Sequence, residues 1–145
     1  MKLYFKKLDK LHPLICFEIL KLRQDIFCIE QNCLYPDIDE TDKISIHAYL
    51  EADNAVAAYT RIYQDDEGIH HIGRICTKLN QRKTGLARRI IEESIAYIKN
   101  LEASAIISIS AQLHLERYYQ SLGFVSQGVS YFEDGIPHIK MIHKS

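Results

Sequence analysis

Arg82-Lys83-Thr84-Gly85-Leu86-Ala87 is a short basic loop between a strand-like run at residues 69–77 and a helix-like run that reaches about Asn100. A strand, a basic turn and a helix start together make an anion site. The N–H groups of a first helical turn have no partner within the helix, and the helix dipole favours negative charge beside them. Gly85 carries no side chain, so the main chain there can approach a ligand closely. Arg82, Lys83, Arg88 and Arg89 add positive charge around the same turn. The loop reads as a pyrophosphate cradle; the alternative is an ordinary strand–helix connection with solvated basic side chains. Lys83-Thr84 imitates the end of a nucleotide-binding P-loop, but the glycines required before the lysine are absent, which excludes that motif.

Working towards the N-terminus, residues 46–52 and 55–63 read as two further strands. Asp53-Asn54 between them suits a two-residue hairpin turn, and Gln64-Asp65-Asp66-Glu67-Gly68 is a polar turn into the run at 69–77. Before this meander, Cys33-Leu34-Tyr35-Pro36-Asp37-Ile38-Asp39-Glu40-Thr41-Asp42 is a loop carrying proline and four acids. It is either a solvated surface loop or a wall facing a cationic substrate. His12-Pro13 marks the start of a helix over about residues 13–30, with a break near Arg23. Leu3-Tyr4-Phe5 begins a first strand.

Working towards the C-terminus, Leu86, Ile90, Ile91, Ser94, Ile95 and Ile98 fall on one helical face. Ala105-Ile106-Ile107-Ser108-Ile109-Ser110-Ala111 shows little alternation, which suits a central strand covered on both faces. Residues 114–122 read as a short helix ended by Gly123, and residues 125–132 and 138–143 as two last strands. The order is strand, helix, three strands, helix, strand, helix, two strands. Such an order predicts an α/β (α+β) fold with a mixed sheet.

The 145 residues form one domain's worth of chain, 1–145, and 47% apolar residues suffice for a core. Basic and acidic side chains number 18 and 19, a balance that argues against a general nucleic-acid binder. No apolar window approaches the ~20 residues of a membrane span, and charges spread over residues 1–30 leave no room for a signal segment, so a cytoplasmic location is expected. Cys16, Cys28, Cys33 and Cys76 match no zinc spacing. Cys28 and Cys33 with His47 lack a fourth ligand, so no metal is expected. The C-terminal hairpin offers a surface on which a second copy could pair as a homodimer.

With its basic R-x-x-G-x-A turn after the fourth strand, this order resembles the GNAT superfamily of acetyl-CoA-dependent N-acetyltransferases. Arg82, Gly85 and Ala87 match the pyrophosphate motif, with alanine where a second glycine is common. Tyr119-Gln120-Ser121-Leu122-Gly123-Phe124 is similar to the superfamily's Y-x-x-L-G-F signature. Residues 23–42, centred on Phe27-x-x-Glu30-Gln31-x-Cys33-x-Tyr35, and Glu133-Asp134-Gly135-Ile136-Pro137-His138 resemble the ElaA-type branch. Together these motifs cover most of the chain. The resemblance implies a central sheet of about seven strands, with the fourth and fifth splayed, flanked by about four helices. It also implies acetyl-CoA as cofactor and a primary amine, on a small molecule or a protein, as acceptor.

Residue roles follow from the same resemblance. Ile75 and Thr77, with Cys76 between them, would bond the pantetheine arm, and an N–H near Ile75 would polarise the thioester carbonyl. The amides of Arg82, Lys83, Thr84, Gly85, Leu86 and Ala87, with Arg88 nearby, would hold the pyrophosphate. Gln112 stands where many relatives carry a cofactor-binding asparagine. Tyr119 stands where the family keeps its proposed general acid; a free phenol titrates near 10 and a thiol near 8.5, and a depressed tyrosine value would help. Without the resemblance, Leu115, Tyr118, Tyr119 and Leu122 read as a core stripe. Candidates for the base are Glu30, Asp37, Asp39, His47, His71, Glu133 and His138, with none singled out. The substrate mouth is expected at residues 37–42 with Glu133, Asp134 and His138, lined by Phe27, Glu30 and Tyr35. Two other functions stay open: an acyl-CoA-binding sensor without turnover, and an acyltransferase related to acyl-homoserine-lactone synthases.

Overall fold

The computed structural model describes residues 1–144. Seven strands form one sheet: β1 (Lys2–Lys7), β2 (Ile46–Ala52), β3 (Ala55–Gln64), β4 (His70–Thr77), β5 (Ile107–Gln112), β6 (Val125–Glu133) and β7 (Ile136–His143). Their spatial order is β1-β2-β3-β4-β5-β7-β6. All neighbours are antiparallel except β4 and β5. The parallel pair follows from the crossover through α2 (Leu86–Leu101), because a helical connection returns the chain in the same direction.

Three α-helices flank the sheet where about four were expected: α1 (Pro13–Arg23), α2 and α3 (Glu116–Gln120). The remaining helical segments are short 3₁₀ turns and a π-helical stretch, Gln24–Glu30, that continues α1. The predicted break near Arg23 is therefore a widening of the helix. Gln31 N–H bonds the Ile26 carbonyl at 3.1 Å, and Cys33 N–H bonds Cys28 at 3.1 Å, both five residues back. Among the described residues, no helix is long and apolar enough to cross a membrane.

One face of the sheet buries α2 and α3, and the other buries α1. Ile90, Ile91 and Ile98 of α2 pack with Ala58, Ile62, Ile72, Ile107, Ile109 and Met141. Ile15, Ile19 and Leu22 of α1 pack with Tyr49, Val56, Tyr59 and Cys76. Each such side chain contributes roughly 1.5–3 kcal/mol when fully removed from water. Ser94 sits inside the α2 face at no unmet polar cost, since its hydroxyl bonds Thr60 Oγ1 and the Ile90 carbonyl, both at 2.7 Å.

The expected cover of β5 on both faces holds on one face only, and the strand alternates more than expected. Ile107, Ile109 and Ala111 enter the α2-side core, while Ser108, Ser110 and Gln112 alternate onto the other face and line a cavity. The α1 layer stops over β3 and β4. That half-covered face is where the site lies.

Candidate active site

The cavity exists because β4 leaves its parallel neighbour. β4 and β5 pair only at His70–Ile107 and His71–Ser108. Just beyond, β4 carries a bulge: between the pairs Tyr59–Cys76 and Arg61–Gly73 it uses one residue more than β3. Arg74 takes a φ of +49° there, a left-handed conformation uncommon for a residue with a side chain. Arg74 and Ile75 have no ladder partner on β3 or β5. Their backbone is left to the gap between the strands, which opens into a cavity of about 780 Å³.

The basic loop closes one end of this cavity. Leu79–Gln81 make a 3₁₀ turn, Lys83 and Gly85 take φ of +62° and +84°, and α2 begins at Leu86. Arg89 N–H is the first of the turn to be used, by the Gly85 carbonyl at 3.0 Å. The N–H groups of Leu86, Ala87 and Arg88 find no acceptor among the described residues. Successive amides in alternating left- and right-handed conformations form an anion-binding concavity. Arg82, Lys83, Gly85, Ala87 and Arg88 line the cavity. Thr84 and Leu86 do not: the Thr84 hydroxyl turns back to the Gln81 carbonyl, and Leu86 packs against the α2-side core.

Tyr119 is held by the way α3 ends. Gly123 N–H bonds the Gln120 carbonyl at 3.0 Å and Phe124 N–H bonds Tyr119 at 3.1 Å, the paired bonds of a Schellman cap. Gly123 sits at φ +98°, and a Cβ there would lie 2.8 Å from His143 Nε2, so glycine is required. The Phe124 ring meets the Tyr119 ring edge-on at 6.0 Å. The spacing Y-x-x-L-G-F thus has a local cause: the cap fixes the tyrosine by its own carbonyl and its own ring. Tyr119 is buried, lines the cavity, and its hydroxyl has no hydrogen-bond partner among the described residues. Burial pushes its phenol up, so the depressed value that would help transfer is not found and the hydroxyl stays protonated.

The acidic loop differs from its expected role. Asp37 and Asp39 do not stand open to a cationic substrate. Arg23, fully buried, bonds Asp37 Oδ2 through Nε at 2.9 Å and Asp42 Oδ1 through Nη1 at 2.8 Å. Arg61 Nη1 bonds Asp39 Oδ1 at 2.7 Å and Asp42 Oδ1 at 3.1 Å. Arg74 Nη2 bonds the Asp37 carbonyl at 2.8 Å and Asp39 Oδ2 at 3.3 Å. Arg74 Nε also lies 2.9 Å from Asp37 Oδ1, an ion-pair distance at which its N–H does not point at the oxygen. Three arginines against three aspartates leave no net field to draw an ammonium. Burial alone would raise the Asp42 carboxyl, but hydrogen bonds from Arg23, the Asp39 backbone and Arg61 bring it down to about 2. His47, lowered by burial, is tied into the same cluster through Tyr59 Oη at 2.6 Å and the Asp42 carbonyl at 3.0 Å. His71 is held by Asp65 at 2.7 Å. Asp39 does not line the cavity, whereas Asp37, Phe27 and Tyr35 do.

Glu30 is also committed. It holds Arg82 through two bonds, Nη1–Oε2 at 2.7 Å and Nη2–Oε1 at 2.6 Å, across the mouth of the loop. At the cavity's other end, Glu133 and His138 are joined by Ser110 and Tyr131, two residues the sequence reading missed. The available signal was the alternation of Ser108, Ser110 and Gln112.

Residues 26–145 match the family described as acetyltransferase (GNAT) domain. The chain belongs to the GNAT acetyltransferase family. Protein ElaA of Escherichia coli K12 is 31% identical over 129 residues, covering 86% of this chain and 84% of that protein. The crystal structure of E. coli ElaA superposes with a TM-score of 0.94 at 27% identity, covering 99% of this chain and 100% of that one. An acyl-CoA N-acyltransferase from Pseudomonas aeruginosa superposes with a TM-score of 0.93 at 31% identity, covering 99% of both chains. This GNAT acetyltransferase is accordingly an acyltransferase, and acetyl-CoA is the acyl donor its family uses. The site fits that molecule: unpartnered amides at one end suit a diphosphate, and the bulged stretch of β4 at Arg74 and Ile75, outside the ladder register, borders the gap that an extended arm would occupy.

In this GNAT acetyltransferase Glu30 occupies the guanidinium that a diphosphate at the basic loop would need. Glu30→Gln is expected to tighten coenzyme A about two- to fivefold in a calorimetric titration, the range a partly exposed ion pair supplies. Weaker binding would show instead that Glu30 aims Arg82 at the ligand.

Proposed function

We propose that this chain transfers the acetyl group of acetyl-CoA to a primary amine, on a small molecule or a protein, by direct attack through a tetrahedral intermediate. The observation that carries the reading is that one cavity joins the unpartnered amides of α2's first turn, the β4 bulge at Ile75 and the ring of Tyr119. Acetyl-CoA supplies a thioester whose carbonyl carbon an amine attacks and whose sulfur departs as thiolate. Leu86, Ala87 and Arg88 N–H hold the diphosphate, with Lys83 and Arg82 beside it. Thr77, Cys76 and Gln112 line the path of the pantetheine arm. Ile75 N–H donates to the carbonyl oxygen, where negative charge develops. Tyr119 Oη, kept protonated by burial, donates a hydrogen bond to the departing sulfur and supplies its proton as the thiolate forms.

The test is direct. Wild-type protein is mixed with acetyl-CoA and a panel of primary amines, and free thiol is followed. Amine-dependent thiol release is the expected result. Coenzyme A binding without release to any amine would favour a sensor, and preference for octanoyl over acetyl donors would favour a lactone-synthase relative.

A further inference from the structure

The acceptor end of the cavity is built by residues that share one face across three strands. His138 lies directly opposite Gln112 in the β5–β7 ladder and opposite Tyr131 in the β6–β7 ladder. Directly opposed residues point to the same side of a sheet, so Gln112, His138 and Tyr131 form a row, with Ser110 two residues along β5 on the same face. This is the face that α1 leaves uncovered, and Ser110, Gln112, Glu133 and His138 all line the cavity.

The four polar groups are tied together. Ser110 Oγ bonds Tyr131 Oη closely and Glu133 Oε1 at 3.3 Å. Glu133 Oε2 stands 3.5 Å from His138 Nε2. His138 Nδ1 donates to the Ile136 carbonyl at 2.7 Å, because a carbonyl can only accept. That bond fixes the tautomer. In the neutral ring it leaves the Nε2 lone pair available beside the carboxylate. Among the acids expected at the substrate mouth, Asp37 and Asp39 are neutralised by arginines and Glu30 is held by Arg82, whereas Glu133 makes no ion pair with an arginine or lysine among the described residues; Lys140, opposite Ser110 on the same face, is exposed.

We propose that Glu133, Ser110 and Tyr131 form the binding site for the acceptor's ammonium group, and that His138 Nε2 is the base that takes its proton. This rests on the acetyl-transfer reading and adds the substrate class: an aliphatic primary amine that arrives protonated. One N–H bond of the ammonium breaks and one forms at Nε2, which leaves a neutral amine to attack and an imidazolium paired with Glu133.

Two amines of nearly equal size separate the roles. Ethylamine is protonated at neutral pH, whereas trifluoroethylamine is neutral and needs neither a carboxylate nor a base before attack. Glu133→Gln is expected to raise the KM of ethylamine about tenfold, the scale of a lost charged hydrogen bond, and to leave that of trifluoroethylamine unchanged. His138→Gln is expected to lower kcat for ethylamine about 10²-fold and to lose most of that effect with trifluoroethylamine. Coenzyme A affinity, measured on each variant, should stay within twofold and shows that the variant is folded. Equal losses for both amines, or no loss for ethylamine, would overturn the acceptor site while acetyl transfer stood. Failure of the wild type to turn over either amine, with coenzyme A still bound, would overturn the acceptor site, and only the same failure across the whole amine panel would overturn acetyl transfer.

Discussion

Tyr119→Phe is expected to lower kcat by about 10²- to 10⁴-fold, the usual contribution of a positioned general acid, with coenzyme A affinity nearly unchanged. The substitution isolates a proton. The Tyr119 ring is held by Phe124 and Tyr118 at 6.0 and 5.4 Å, and phenylalanine keeps both contacts. No hydrogen bond from its hydroxyl is found among the described residues, and the hydroxyl is not among the buried atoms left without a partner, so its removal strands no donor or acceptor in the protein. Stability should therefore change by less than about 1 kcal/mol, and denaturation of the variant provides the control. A kcat that falls less than threefold would return Tyr119 to the role of a core ring. The burial that raises the phenol keeps it protonated in the resting site, so it enters the reaction as a hydrogen-bond donor.

The largest expected effect on stability lies elsewhere. Arg23→Ala should cost about 3–5 kcal/mol, the loss seen when one partner of a buried ion pair is removed. Arg23 has no exposed surface, and its absence would leave the Asp37 and Asp42 carboxylates facing each other without their shared cation. The cluster also gives an acid signature. The Asp42 carboxyl lies at about 2 in the folded chain, below the unfolded value near 4. Stabilisation from a depressed carboxyl is complete above the unfolded value and is lost as pH falls through the folded one. The gap between wild type and Arg23→Ala should therefore be widest above pH about 4 and close towards pH about 2. Urea denaturation at both pH values checks this, and a gap under 1 kcal/mol at neutral pH would contradict it. Functionally, the same cluster ties α1, β3 and the β4 bulge to the loop that walls the cavity, so its loss should also loosen the backbone at Ile75.

The strand order was readable because its cues are local. Asp53-Asn54 is a hairpin turn on sight, and both Asn54 and Asp53 adopt the positive φ such turns use. The basic loop and the Tyr119 cap are likewise contained within a few residues each. What could not be read are pairings between distant residues. The acids of residues 37–42 are visible as a run, but their partners Arg23, Arg61 and Arg74 are scattered over three elements. Nothing local marks Arg61 or Arg74 as inward-facing. Glu30 and Arg82 lie 52 positions apart, so a carboxylate that looked free for substrate is already bound. The bulge at Arg74 is similarly silent: the residue carries a side chain, Gly73 beside it keeps a negative φ, and the ion pairs that hold Arg74 come from another loop. Ser110 was overlooked because its strand was read as having little alternation and cover on both faces, although it alternates.

The central claim is that the first turn of α2 offers free main-chain amides to a diphosphate. The measurement that tests it most directly is a titration of ¹⁵N-labelled protein with coenzyme A, followed by amide resonances. The expected result is a saturable movement of the Lys83, Thr84, Gly85, Leu86, Ala87 and Arg88 amides, together with Ile75, at a single affinity. Saturable binding that leaves those amides in place, or no binding at all, would contradict the account.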